Sequence, residues 1–465
     1  TISTGGSAGR EGPIAHICAG FGSFIGSVFK LNARDRRIAV TVGIGAGVGS
    51  IFKAPLGGAL LSTEILYMRD FEKEALIPSV IASIVGYSIF SYYEGFKPIF
   101  YAAQYTWSIQ QIPLFMTLGL VCAGAGSLYI FAFYKTRNFF KKLEIPNHFK
   151  PAAGAAIVGI LAVVLIILVP EENGAAGLGG LGMGYGFIQL AMYNELPIKI
   201  MFILIFAKIA MTSFTIGSGG SGGVFAPGLV IGAMVGGTTG AIFNLMFPAI
   251  VPVEAIPVFV IIGMMALFGG VARAPVAVIV MVSEMTGDFT LLLPSMVAIV
   301  GSVILVKNTI YREQVPTRLD SPAHTQEYFM SLLEIPTVLD ATRKEFKTLS
   351  PQSTINEAVL SMRRGVTTLP VIEGKRLIGA LSMRDVRDVP FERWTDTSVM
   401  DIMGDPPTIH GSRNLHDAAQ KMEETGEQIF FVVDENDPEK LLGIITWRDM
   451  IRVFSKGLEE ENSDI

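Results

Sequence analysis

Between Lys208 and Glu254 the chain carries no charged residue, and between Asp288 and Lys307 it again carries none. Uncharged stretches of that length cannot be spread over the surface of a water-soluble domain; they need hydrocarbon around them. Half of the 465 residues are hydrophobic and only 17% are charged, and the charges crowd toward one end. From Asp320 onward every few residues carry one. We therefore expect a membrane part up to about Tyr311 and a soluble part after Asp320. The net charge of −5 averages two unlike halves and says little about partners.

Apolar segments long enough to cross or enter a bilayer run at roughly 14–29, 38–68, 76–90, 112–134, 152–169, 198–214, 228–247, 256–270, 275–285 and 291–306. Several are too short to span, and many are interrupted by Gly and Pro. Broken membrane helices are tolerated where the freed backbone is buried in protein or lines a cavity, a pattern of transporters and channels. Cys18 and Cys122 are the two cysteines and suggest neither a disulfide framework nor a CxxC site, and the five histidines are scattered without ligand spacing. No metal site is expected. No basic, aromatic-interleaved patch occurs, so nucleic acid is not an expected partner. Thr1 opens directly into a glycine-rich run, as in a chain truncated at its N-terminus.

An internal repeat narrows the architecture. TISTGGSAGREGP (Thr1–Pro13) aligns without gaps on TIGSGGSGGVFAP (Thr215–Pro227), with seven of thirteen positions identical. GSIFKAPLGGALLSTE (Gly49–Glu64) matches GGVARAPVAVIVMVSE (Gly269–Glu284), sharing Ala-Pro and a Glu nine residues after the Pro. Offsets of 214 and 220 residues make this one duplicated unit. Paired Gly/Pro-interrupted segments in two halves point to a midplane site between inverted repeats. The tail holds a smaller repeat, 338–386 against 399–450. Each copy reads as a turn, an amphipathic helix and two β-branched strands (LPVI and LIGALS; IFFVVD and LLGIIT), the second running into S-M-R-D or T-W-R-D.

The two glycine runs carry the chemistry. Successive glycines let backbone N–H groups turn toward one point, and a helix opening there adds partial positive charge. Two such ends converging in a membrane make an anion site without a full positive charge, which binds weakly enough to let the anion leave. Close helix packing is the competing use of glycine, expected for Gly22-x-x-x-Gly26 and Gly232-x-x-x-Gly236. No G-x-x-x-x-G-K-[ST] loop is present.

GREGP (Gly9–Pro13), GGVFAP (Gly222–Pro227), the two Ala-Pro…Glu segments and Tyr311 resemble the CLC family of chloride channels and chloride/proton antiporters, and the tail resembles the paired CBS module that many members carry. The resemblance implies an α-helical polytopic membrane protein, a CLC-type inverted-topology repeat with broken helices over 1–319, plus a cytosolic α/β tandem CBS module over 320–465 (first CBS about 338–390, second about 399–455). It implies that Glu11 is the gate, whose carboxylate competes with chloride and swings away when protonated. Backbone around Gly9, Arg10 and Gly12 and around Val224, Phe225 and Ala226 would form the anion cradle, with the Tyr311 hydroxyl on the central chloride. Glu64 and Glu284 are expected to be mainly structural, and Arg10 to position its loop.

Two departures from the family pattern bear on function. The serine-bearing anion motif that precedes GREGP in the family is absent, and with it the residue that separates chloride from nitrate. Antiporters of the family usually carry an inner proton glutamate where this chain has Ile65. Passive chloride conduction is therefore slightly favoured, with chloride/proton exchange as the alternative and a CBS-regulated divalent-cation channel as a more distant one. A fluoride-selective relative fits less well, since the Pro13 ending resembles the chloride and nitrate branches. No catalytic set appears in the apolar segments, so no enzymatic activity is expected. The resemblance further implies a homodimer in the plasma (inner) membrane. Either the CBS cleft takes ATP, ADP or AMP, with Asp385 and Asp449 toward ribose hydroxyls and Ser382 and Thr446 near the phosphates, or the module only dimerises and packs.

Overall fold

A computed structural model describes residues 1–102, 105–169, 171–318, 320–324, 336–362, 367–374 and 376–453. The chain divides into two compact units, Thr1–Ala323 and His324–Ile465.

The first unit is helical. Its α-helices are α1 (Glu11–Val28), α2 (Ala33–Ile51), α3 (Pro55–Glu64), α4 (Leu76–Glu94), α5 (Ile112–Lys142), α6 (Lys150–Leu168), α7 (Glu171–Leu178), α8 (Tyr185–Met192), α9 (Ile198–Gly217), α10 (Phe225–Met246), α11 (Ile256–Ala272), α12 (Pro275–Thr286) and α13 (Leu292–Leu305). Among the described residues six helical segments are long and apolar enough to cross a membrane. The helices α3, α12 and α13 are too short to span alone. Every residue of α11 is buried, so its unbroken apolar sequence reflects a protein surround rather than lipid. Against it lies α10, and here the expected small-residue spacing is used for close approach. A Cβ on Gly236 would stand 2.0 Å from the Phe259 carbonyl oxygen, and one on Gly232 would stand 2.5 Å from that of Gly263. No larger residue permits this crossing.

The repeat is also a symmetry of the fold. Gly9 and Gly223, equivalent positions in the sequence repeat, face each other as an antiparallel bridge. The Gly9 amide donates to the Gly223 carbonyl (2.8 Å) and the Gly223 amide to the Gly9 carbonyl (2.7 Å). Residues that exchange equal bonds with their own repeat mates lie on a local two-fold axis. The second matched pair obeys it too. Glu64, at the end of α3, accepts hydrogen bonds from the Val276 and Ala277 amides (3.3 and 2.7 Å) that open α12. Glu284, in α12, accepts from the Leu56 and Gly57 amides (3.1 and 2.7 Å) that open α3. Pro55 and Pro275 begin these two helices, where a missing N–H costs nothing.

The second unit repeats a smaller theme. Strands β1 (Thr368–Glu373) and β2 (Arg376–Ser382) pair antiparallel, and β3 (Thr408–His410) runs parallel to β4 (Ile429–Val433), which pairs antiparallel with β5 (Leu441–Thr446). Amphipathic helices α14 (Ile355–Met362) and α15 (Leu415–Thr425) lie one in each copy. The four strands expected from the alternating apolar runs are all present. The extra strand, β3, is three residues long and too short for a periodic signal.

Candidate anion site

Glu11 is the first residue of α1, and Phe225 holds the same place in α10. The Gly9–Gly223 bridge therefore sets two helix N-termini side by side, each with its first-turn amides unpaired within the helix. Pro13 and Pro227 occupy the third position of their helices. Val224, Phe225 and Ala226 are buried, and the Phe225 ring is wedged between Phe52 and Phe268, with ring centroids 4.7 and 4.1 Å away. That packing fixes the N-terminus of α10.

The Glu11 side chain is 3% exposed. Its Oε1 accepts a hydrogen bond from the Tyr185 hydroxyl at 2.8 Å, while Oε2 is buried without a hydrogen-bond partner among the described residues. A Cβ on Gly9 would stand 2.0 Å from that Oε2 and 3.2 Å from the Ala226 amide nitrogen. The glycine is thus required for the carboxylate to lie over the loop, with Oε2 turned toward the start of α10. The seated carboxylate occupies the place that two helix dipoles make favourable for an anion. Arg10, expected to position the loop, is exposed and makes no side-chain hydrogen bond or ion pair among the described residues. Only its backbone takes part, its carbonyl accepting from the Ile14 amide.

A cavity of about 390 Å³ brings Glu11 and Gly12 together with Phe225, Tyr311 and Ile65. The fold thus collects residues from both repeats and from the last membrane segment. Gln314 braces this lining: its Nε2 donates to the Ile65 and Ala272 carbonyls (2.8 and 2.9 Å), and its Oε1 accepts from the Thr309 hydroxyl (2.6 Å). Glu64 lies next to Ile65 but is spent on the α12 amides and is 4% exposed. Its geometry is that of a cap.

Two residues of the site have partners that the sequence does not show. Tyr185 is 174 positions from Glu11; its ring meets Phe100 edge to face at 5.3 Å. Lys208, fully buried in α9, donates through Nζ to the carbonyls of Gly180, Leu181 and Gly182 (3.3, 3.3 and 2.8 Å). Those carbonyls belong to the segment that delivers Tyr185. A lysine midway in an apolar run is visible in the sequence, but its acceptors are backbone atoms and leave no residue pattern.

In the tail, the four candidate nucleotide residues separate into two caps. Asp385 Oδ2 accepts from the Ser382 amide and hydroxyl (both 2.7 Å), and Asp449 Oδ2 from the Thr446 amide and hydroxyl (3.1 and 2.6 Å). Asp449 is 1% exposed and also paired with Arg343 and Arg452, each at 2.8 Å. A cavity of about 890 Å³ is lined by Thr446, with Thr368, Ile429, Trp447 and Arg448; Ser382, Asp385 and Asp449 lie outside its lining.

A helical membrane unit built as two interlocked repeats, with helix N-termini meeting around a carboxylate, defines an anion-transport protein. The family model described as "Voltage gated chloride channel" matches residues 1–307, and the CBS domain model matches 338–392 and 399–456. The chain belongs to this CLC family, one of transporters and channels rather than enzymes, and its activity is CLC-type anion transport. It is 31% identical to an uncharacterized protein of Methanocaldococcus jannaschii over 313 residues, covering 67% of this chain and 73% of that one. It is 27% identical over 310 residues to the H(+)/Cl(-) exchange transporter ClcA of Salmonella agona, covering 66% of this chain and 63% of the transporter. Among solved structures it resembles a slow cyanobacterial Cl-/H+ antiporter (TM-score 0.57, 25% identity, 67% of this chain and 71% of that one). A CLC-type fluoride/proton antiporter shares the fold (TM-score 0.57, 22% identity, 67% and 73% covered).

Proposed function

We propose that the protein exchanges chloride for protons, with Glu11 as the group that couples them. The observation that carries this reading is the seat of the Glu11 carboxylate, buried at the paired helix N-termini with one oxygen held by Tyr185. While seated and charged it acts as a tethered anion, and chloride entering the same field must displace it. Taking up a proton removes its charge and its attraction for the dipoles, so proton binding and chloride occupancy are linked. The relatives named as chloride/proton exchangers support the same reading. Slightly favoured passive conduction rested on Ile65, and exchange now takes precedence over it. Ile65 carries no proton, so a proton reaching Glu11 from the far end of the cavity would travel through water past Tyr311, Glu313 and His16, which share its lining. Simultaneous recording of chloride and proton flux in liposomes tests the proposal. Uphill proton movement in fixed ratio to chloride is expected, and chloride flux without it would return the reading to passive conduction.

The tail would lie in the cytosol. The loops joining α1 to α2, α3 to α4 and α5 to α6, with the helix ends beside them, and the segment after α13 carry most of the membrane unit's cations, from Lys30 and Arg34 to Lys141 and Arg312. Connections at the opposite ends of these helices carry three, Arg10, Lys53 and Lys97. Positive loops stay inside. Within the tail, the 890 Å³ cavity suits an adenine nucleotide, with Thr446 rather than Asp449 facing it. Calorimetric titration of ATP and AMP against the whole protein in detergent tests this, and a flat titration with both would remove it.

A further inference from the structure

We infer that the groove between the last turns of α5 and the end of α13 binds the headgroup of an anionic phospholipid. The groove measures about 620 Å³ and three cations line it, Lys135 from α5 and Lys307 and Arg312 from the segment after α13. No carboxylate shares the lining. Among the described residues none pairs with any of the three; the nearby Glu313 is engaged with Arg137 at 3.9 Å. Two of the cations lie over aromatic faces, Arg312 over Tyr134 at 3.6 Å and Lys135 over Phe131 at 5.3 Å. Three like charges gathered without a counter-charge repel one another, and an anion in the groove relieves this.

Position identifies the anion as a lipid's. A hydrocarbon core is crossed by about 20 helical residues; counted from Ile112, the twentieth of α5 is Phe131. Lys135 therefore stands one turn beyond the core, and Lys307 follows two residues after the end of α13. The side chains just inside that level point outward: Phe131 is 61% exposed, Leu305 52% and Ile304 72%. A ligand meeting both surfaces has acyl chains against Phe131 and Leu305 and a phosphate among the cations. Asn138 and Asn308, also in the lining, offer amide donors to a headgroup. A free inorganic anion would leave the apolar half of the groove unused.

The test is native mass spectrometry of the whole protein in detergent with added phosphatidylglycerol or phosphatidylcholine. Wild type is expected to retain phosphatidylglycerol in preference. A Lys135→Gln/Lys307→Gln/Arg312→Gln variant should lose that preference, by roughly fivefold per cation removed, since each basic side chain near an anionic surface is worth about a fivefold change. Lys307→Gln alone, a solvent-facing change that spares the packing, should show one such step. Lys141→Gln/Lys142→Gln removes two cations of α5 outside the groove and should retain lipid as wild type does. Absence of a preference in wild type, an equal loss in the Lys141/Lys142 variant, or displacement of the lipid by millimolar inorganic phosphate would each overturn the assignment. The readout is binding and stands whether transport proves to be exchange or conduction.

Discussion

At the scale of single residues, the site is a carboxylate held between opposing demands. The helix ends favour its charge, and the Tyr185 hydroxyl holds one of its oxygens in place. Glu11→Gln keeps the shape and removes the charge and the titration. Anion flux in that variant should persist, lose its dependence on pH and lose coupled proton movement, read from the same liposome recordings; flux as pH-sensitive as wild type would refute the gate. Tyr185→Phe deletes one hydrogen bond to a charged acceptor, worth about 1.5 kcal/mol at the low end of such bonds, or roughly tenfold in population. Chloride turnover should rise by up to that factor when Glu11 is present and stay unchanged in the Glu11→Gln background. An equal effect in both backgrounds would mean that the tyrosine supports the fold and not the gate. Glu11 itself was legible, because GREGP is a compact motif beside a repeat that lacks its charges. Tyr185 was not, because no rule of spacing links positions 174 residues apart.

At the scale of elements, the duplication explains features that look unrelated along the chain. The carboxylates of Glu64 and Glu284 cap each other's partner helix. Lys53 and Arg273, again 220 positions apart, both adopt left-handed backbone (φ 50° and 56°) just ahead of α3 and α12. Their side chains then donate to carbonyls at helix ends: Lys53 to Glu94 and Gly95, closing α4, and Arg273 to Val303 and Val306, closing α13. Removing one cap leaves two amides unpaired, one of them on a buried residue (Ala277 or Gly57), at about 1–3 kcal/mol for the buried one. Glu64→Ala and Glu284→Ala should therefore lower the thermal midpoint of the solubilised protein by similar amounts; a large asymmetry would argue that one of them has another task. In the tail, Asp340 accepts from the Thr337 hydroxyl and amide at 2.7 and 2.8 Å. These bonds hold its carboxyl below the usual carboxylate range. A carboxyl held down in the folded state stabilises it above the unfolded pKa, and that contribution is lost as pH falls through the folded pKa. Thr337→Ala should accordingly lower the tail's unfolding midpoint near neutrality, with the difference from wild type shrinking on acidification.

At the scale of the whole molecule, the compact units meet at Ala323 and His324, four residues from the change in charge near residue 320. Exposed apolar side chains remain along α4 and α13, among them Ile77, Ile81, Ile89, Met296 and Ile304. The CLC resemblance implied a homodimer. Light scattering of the solubilised protein should give twice the monomer mass once bound detergent is subtracted, and a monomer at all concentrations would refute it.

The sequence by itself determined the membrane class, the duplicated scaffold and the tail's strands, and it singled out Glu11 and the change in charge near residue 320. All of these rest on composition, periodicity or local motif, which are written along the chain. Only the tertiary structure decided that Gly9 and Gly223 meet on a two-fold axis, that Glu64 is consumed as a cap, that Arg343 closes on Asp449 and that Tyr185 holds the Glu11 carboxylate. Those are contacts between backbone atoms or between residues far apart, and hydrogen bonds to a backbone constrain where a side chain ends rather than which residue its partner must be.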